Sequence, residues 1–199
     1  METINNSNKI FKVAIVGCGR ISRNHIKALG LQSNRVDLCA ICDPEVSRIQ
    51  EACDLIKEIN SSSDAANFQP KTFSNFDNLI EAIKAKSITL DLLVLCTPSG
   101  IHAKQVIQAS ELNINICTEK PMATKWKDGL QMIDACESAG VKLFVVKQNR
   151  LNSTLQLVKR QISKGRFGKL ALVNSNVFWH RPQKYYDQDE WRGTWEFDG

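Results

Sequence analysis

The chain has 199 residues, with 26 lysines and arginines against 21 aspartates and glutamates, for a net charge of +5. Its 43% hydrophobic and 24% charged residues suit a globular protein of one large domain or slightly more, with a sizeable core. The basic residues are scattered rather than run together, which argues against nucleic acid, and no apolar run nears the ~18 residues of a membrane span.

The start, METINNSNK, is polar and lacks the apolar centre of a secretion signal, so a cytoplasmic protein is expected. From there apolar, strand-like runs alternate with amphipathic, helix-like ones. KVAIVGC (12–18) precedes RISRNHIKALGL, and VDLCAICD (36–43) precedes PEVSRIQEACDLIKEI. NSSSDAANFQP (60–70) reads as a surface loop. Then come KTF (71–73) with NFDNLIEAIKAK, DLLVLCTP (91–98) with GIHAKQVIQASELN, and INICTEKP (114–121) with a helix over 125–139. KLFVVKQNR (142–150) is followed by STLQLVKRQISKG. Near-continuous apolar strands alternating with helices predict an α/β protein, a doubly wound parallel sheet of Rossmann type over residues 1–150. Past Gly165 the pattern changes. RFGKLALVNSNVFWHRP reads as a turn and a long strand over 170–180, and YYDQDEWRGTWEFDG is rich in aromatics and acids. Residues 151–199 are therefore expected to begin a second, truncated α+β substrate domain.

The seven cysteines lie mostly inside strand-like runs, the usage of buried, reduced thiols. Cys39 and Cys42 form a C-x-x-C, but on a strand positions three apart face opposite ways, and no second pair completes a zinc site. Core cysteines and no metal are expected.

Gly17 and Gly19 follow the first strand at once. The first glycine permits a tight turn, the second a close backbone approach to a pyrophosphate. A helix beginning near Arg20 and Ile21 points unpaired N–H groups and its positive end at that anion. Ser22 stands where a third glycine is usual, and is small enough for close packing. Asp43 ends the second strand, where a carboxylate can accept from the adenosine ribose hydroxyls and repel a 2′-phosphate, favouring NAD over NADP. Capping the next helix is its alternative role.

Ligands of an open α/β sheet sit outside the carboxyl ends of the strands. Those ends read GCGR, CDPE, CTPSGIH, CTEKP and KQNR. Thr97, Pro98 and His102 follow the fourth strand, with His102 either a cofactor-side group or a surface or capping histidine. Glu119 and Lys120 leave an apolar strand as a charged pair, either functional or a structural ion pair. Asn149 and Arg150 end the sixth strand. Arg150 suits a bidentate carboxylate contact or an interdomain salt bridge.

GCGRISRNH, TPSGIH and EKP, in that order, resemble the glucose–fructose oxidoreductase/inositol dehydrogenase family (Gfo/Idh/MocA) over essentially the whole chain. KQNRLN, GRFGKLALVNSNVFW and RPQKYYDQDEWRGTW are most similar to its sugar-nucleotide 3-dehydrogenases of bacterial surface polysaccharides. The resemblance implies NAD-dependent oxidation of a UDP-sugar, at the 3-hydroxyl of UDP-N-acetylglucosaminuronate, in lipopolysaccharide biosynthesis. Polyol or free-sugar oxidation, or a non-catalytic NAD-binding module, are the alternatives. It places Gly17, Gly19, Arg20, Ile21, Asp43, Thr97, Pro98, His102, Glu119, Trp191 and Arg192 on the cofactor side, and Lys120, Asn149 and Arg150 on the substrate side. Lys120 is the expected catalytic residue. An ordinary lysine holds its proton up to about pH 10, so a protonated Lys120 polarising the oxygen while a histidine takes the proton is the easier arrangement. In the family that histidine lies downstream of the position matching Gly199, so these 199 residues are expected to be inactive alone and the full-length protein a homo-oligomer. His180 and Trp195 are expected to be structural, as is Tyr185.

Overall fold

A computed structural model describes residues 9–62 and 66–199. The polar start, and the secretion-signal reading that rests on it, lie almost entirely outside them. Six parallel strands form one sheet: β1 (Phe11–Val16), β2 (Val36–Cys42), β3 (Lys71–Phe73), β4 (Leu92–Leu95), β5 (Asn115–Thr118) and β6 (Leu143–Val145). Their order is β3-β2-β1-β4-β5-β6, the doubly wound arrangement, with its switch point between β1 and β4. The helices are α1 (Ser22–Gly30), α2 (Val46–Ser62), α3 (Phe76–Lys84), α4 (His102–Ser110), α5 (Trp126–Ser138), α6 (Ser153–Ser163) and α7 (Gln183–Tyr186).

Alternation along the strands divides the core into two layers. Val13, Ile15, Leu38, Ile41 and Val94 pack with Ile26 of α1 and Leu55 and Ile56 of α2. Ala14, Val16, Leu93, Leu95 and Ile116 pack on the other face with Leu79 of α3, Val106 of α4 and Met132 of α5. Each of these but Ala14 is worth about 1.5–3 kcal/mol when fully buried, so the sheet is held by its middle strands. No described helix is long and apolar enough to cross a membrane.

Three expectations change. The register slips between Val13 and Ala14, which pair with Leu38 and Ala40. Cys39 is thus the extra residue of a bulge, and it packs on the same layer as Cys42 rather than on the opposite face. All seven cysteines are free thiols. The 60–70 loop is more than surface. Helix α2 runs on to Ser62, and the Asn60 amide donates to the Phe68 carbonyl (2.8 Å) and accepts from its N–H (2.9 Å). That clamp buries Phe68 in the core. Finally, 170–180 forms no strand. An extended segment becomes a strand only by pairing, and no described backbone pairs with it; Leu172, Val173, Val177, Phe178 and Trp179 are exposed.

Past α7 the chain returns to the carboxyl end of the sheet. Gly100 donates its N–H to the Phe197 carbonyl at 3.0 Å. A Cβ at Gly100 would lie 1.8 Å from the Glu196 carbonyl oxygen, so only glycine allows this docking.

Candidate cofactor and substrate clefts

The turn after β1 is built for glycine. Gly17 has φ +86°, and a Cβ there would sit 2.7 Å from the Cys96 carbonyl carbon and oxygen. Backbone cannot yield as a side chain can, and that closeness keeps β4 bonded to β1 (Cys96 N–H to the Val16 carbonyl, 2.7 Å). Gly19 is open on its Cβ side, where the nearest atom is Arg48 Nη1 at 3.9 Å. Buried Ser22 donates its hydroxyl to the Gly19 carbonyl at 2.6 Å and so fixes the turn. The N–H groups of Gly19, Arg20 and Ile21 have no partner among the described residues. Free donors ahead of α1 form a ready anion site.

Of the two parts expected of Asp43, the structure displays the capping one. It is 3% exposed, and its two oxygens accept from the N–H of Cys18 (2.7 Å) and of Glu45 (2.8 Å). The Glu45 contact shapes the entry to α2. The Cys18 contact engages that amide, so the free N–H groups of the turn are those of Gly19, Arg20 and Ile21. Each carboxylate oxygen keeps lone-pair capacity for a ribose hydroxyl.

A cleft of about 830 Å³ runs from this turn across the ends of β4 and β5. Gly17, Gly19, Arg20, Ile21 and Asp43 line one end, Thr97, Pro98, Glu119 and Lys120 the middle, and Trp191 and Arg192 the returning segment. His102 does not reach it. The ring is fully buried, with Nε2 2.9 Å from the Thr97 carbonyl and Nδ1 3.2 Å from the Pro121 carbonyl. It therefore sits between the β4 and β5 turns, behind the cleft, where a neutral ring donates to one of the two carbonyls. Burial pushes its pKa below the ordinary value, only partly opposed by those carbonyls. The Thr97 hydroxyl donates to Gln105 at 2.6 Å, a second tie from α4.

Glu119 is buried, yet His25 Nε2 lies 2.8 Å from its Oε1 and the Lys120 N–H 3.2 Å from its Oε2. Burial alone would raise its pKa; the hydrogen bonds from His25 and from the Lys120 amide, with nearby positive charge, bring it below the ordinary range. Lys120 is exposed and forms no ion pair among the described residues, so it and Glu119 are not an ion pair closed on itself. Lys120 also lines a second cleft, of about 720 Å³, with Lys147, Asn149, Arg150, Lys159 and Trp179. That cleft has four cationic side chains and no carboxylate.

The sheet order, the glycine turn and Asp43 together describe a dinucleotide site, and comparison agrees. The profile of the GFO/IDH/MocA oxidoreductases, with an NAD-binding Rossmann fold, matches residues 11–147. The chain belongs to this family. Its cofactor is NAD, and the turn's free amides and Asp43 fit a dinucleotide. The WlbA dehydrogenase of C. violaceum, solved with NADH and UDP-GlcNAcA, is 42% identical with a TM-score of 0.83, over 98% of this chain and 51% of that one. The WlbA dehydrogenase of Bordetella pertussis, solved with the same ligands, is 43% identical with a TM-score of 0.79, over 96% and 53%. The D-apiose dehydrogenase of Paraburkholderia graminis is 29% identical over 160 residues, 80% of this chain and 38% of that protein. The chain thus spans about half the length of these family members, or less.

Several residues around the cleft were not marked by the sequence. Asp189 bridges Arg48 Nη2 (3.0 Å) and Arg192 Nε (2.8 Å), fastening the returning segment to α2. The Arg192 guanidinium lies over the rings of Tyr185 (4.6 Å) and Trp191 (4.8 Å), and Tyr185 lines the cleft. Trp195, expected to pack, is exposed, as is His180. His25 lay in plain view within GCGRISRNH, but its partner is 94 positions away and no local spacing marks it.

Proposed function

We propose that the protein is an NAD-dependent dehydrogenase of a sugar nucleotide, oxidising the 3-hydroxyl of UDP-N-acetylglucosaminuronate on the way to lipopolysaccharide sugars. The observation that carries this reading is Lys120, a wall shared between the dinucleotide cleft and a second cleft rich in cations. A uronate carboxylate and a diphosphate are the anions such a cleft would attract, and Arg150 suits the carboxylate because its planar fork can donate two parallel hydrogen bonds. Two similar solved enzymes hold UDP-GlcNAcA beside NADH, which supports the substrate class.

Bound NAD supplies the hydride acceptor. Asp43 and the amides of Gly19, Arg20 and Ile21 hold its adenosine ribose and diphosphate. Trp191 and Arg192 close the cleft from above. Lys120 donates a hydrogen bond to the reacting hydroxyl and stabilises negative charge developing on its oxygen. Asn149 and Arg150 orient the sugar.

The test uses the protein at its full natural length. UDP-GlcNAcA, UDP-GlcNAc and inositol are each added with NAD, and NADH absorbance is followed. Turnover of UDP-GlcNAcA well above the other two supports the reading; preference for inositol makes it a polyol dehydrogenase, and no turnover of any removes the enzyme reading. The same protein is expected to be a homo-oligomer by light scattering, since Val177, Phe178 and Trp179 expose apolar surface.

A further inference from the structure

Glu119 and Lys120 are neighbours in sequence, a carboxylate beside an ammonium in the dinucleotide cleft, and Lys120 also lines the second cleft. Left alone, two such groups pair, and a lysine paired with a carboxylate has to break that contact before it can meet a substrate oxygen. The geometry points to His25 as the residue that prevents this: it is a positioning residue that engages the Glu119 carboxylate from α1 and so leaves the Lys120 amine free. The inference rests on the reading of Lys120 as the group that meets the substrate hydroxyl.

Each oxygen of Glu119 already accepts one hydrogen bond, Oε1 from His25 Nε2 at 2.8 Å and Oε2 from the backbone N–H of Lys120 at 3.2 Å. The lysine side chain makes no ion pair among the described residues although it belongs to the next residue. The other titratable groups near Glu119 cannot replace His25. Cys96 of the β4 turn and Cys117 of β5 are thiols whose burial keeps them protonated and uncharged. His102 of α4 faces carbonyl oxygens of Thr97 and Pro121, and burial disfavours its charged form. Only His25 and Lys120 can satisfy Glu119 with a strong donor, and His25 does so from a helix fixed by the glycine turn. The arrangement makes α1 serve the lysine as well as the dinucleotide.

The test reads the amine directly and needs no turnover. Lys120 is trace-acetylated with acetic anhydride at fixed pH and its rate measured by peptide mass spectrometry against Lys104 as internal reference. His25→Ala is expected to slow Lys120 acetylation roughly three- to tenfold, because the released carboxylate captures the ammonium. His25→Asn, whose shorter amide cannot span the contact, is expected to do the same, and His25→Gln to keep the wild-type rate. The double variant His25→Ala/Glu119→Gln is expected to recover it, since no carboxylate is left to capture. A merely structural histidine would give no such recovery. Wild-type reactivity in His25→Ala or His25→Asn, or failure of the double variant to recover, overturns the inference. Failure of the catalytic reading shows elsewhere, as unimpaired turnover in Lys120→Ala.

Discussion

Replacing Asp43 by alanine tests the cofactor site and the fold at once, and the structure separates the two costs. The carboxylate accepts from two backbone donors. Cys18 is buried, so its N–H would be left without a partner, at about 1–3 kcal/mol. Glu45 is exposed, so its N–H turns to water at little cost. The net loss is then about 2 kcal/mol, which for a chain of this size lowers Tm by roughly 4–8 °C. The lost ribose contacts add a separate effect on affinity. Two hydrogen bonds at about 1 kcal/mol each weaken NAD by roughly 30-fold. Asn is no rescue, because an amide offers one acceptor and one donor where two N–H groups point, so Asp43→Asn is expected to be destabilised nearly as much. Thermal unfolding without NAD reads the first effect, and calorimetric titration of NAD below the lowered Tm reads the second. An NAD dissociation constant within twofold of wild type in a folded Asp43→Ala would refute the ribose contact, and an unchanged Tm would refute the buried-donor argument.

In the full-length protein, Lys120→Ala is expected to lose about 10²–10⁴ in kcat while the NAD dissociation constant stays within twofold; normal turnover in a stopped assay would remove Lys120 from the chemistry. Gly17→Ala combines a positive φ with a backbone collision and is expected to cost at least about 3 kcal/mol, read as a large drop in urea midpoint. Gly100→Ala collides only with the returning 196–197 segment, so it is expected to raise hydrogen exchange and proteolysis over 185–199 and leave the sheet's protection unchanged. Two buried groups make stability fall in acid. The unfolded chain takes up a proton on His102 near pH 6.5 that the buried ring refuses, so this contribution is full above that value and lost as pH falls below it; His102→Gln is expected to flatten this part of a pH series of urea midpoints. Glu119, held below its ordinary value of 4.5, adds stability that is present above that value and lost as pH falls through the folded one.

The sheet was legible in the sequence because each strand is both apolar and followed by an amphipathic helix, so periodicity and order agreed. The rim was legible because polar clusters interrupt apolar strands where nothing but a ligand crevice needs them. What failed did so for reasons of pairing. The stretch 170–180 has strand-forming residues, but a strand is a property of two segments, and composition reports one. The bulge at Cys39 depends on register against β1, which alternation within β2 alone does not contain. His102 was left open between contact and support because a histidine early in a helix looks the same in either role until burial is known. His25, Arg48 and Asp189 went unseen because their partners are 94 and 141 positions away.

Strand order explains how such distant residues become one site. Asp43 follows β2 and Lys120 follows β5, and between those strands lie β1 and β4. Three inter-strand spacings of about 4.8 Å separate them, roughly 14 Å across the carboxyl edge. A dinucleotide anchored by its ribose at Asp43 and by its diphosphate at the Gly19 turn has one direction in which to extend along that edge, toward β5. Its far end would thereby reach the wall on which Lys120 stands, with the second cleft beyond. An insertion in a loop at the amino end of the strands would leave this geometry untouched, whereas exchanging β4 and β5 in the sheet would destroy it without altering a single site residue.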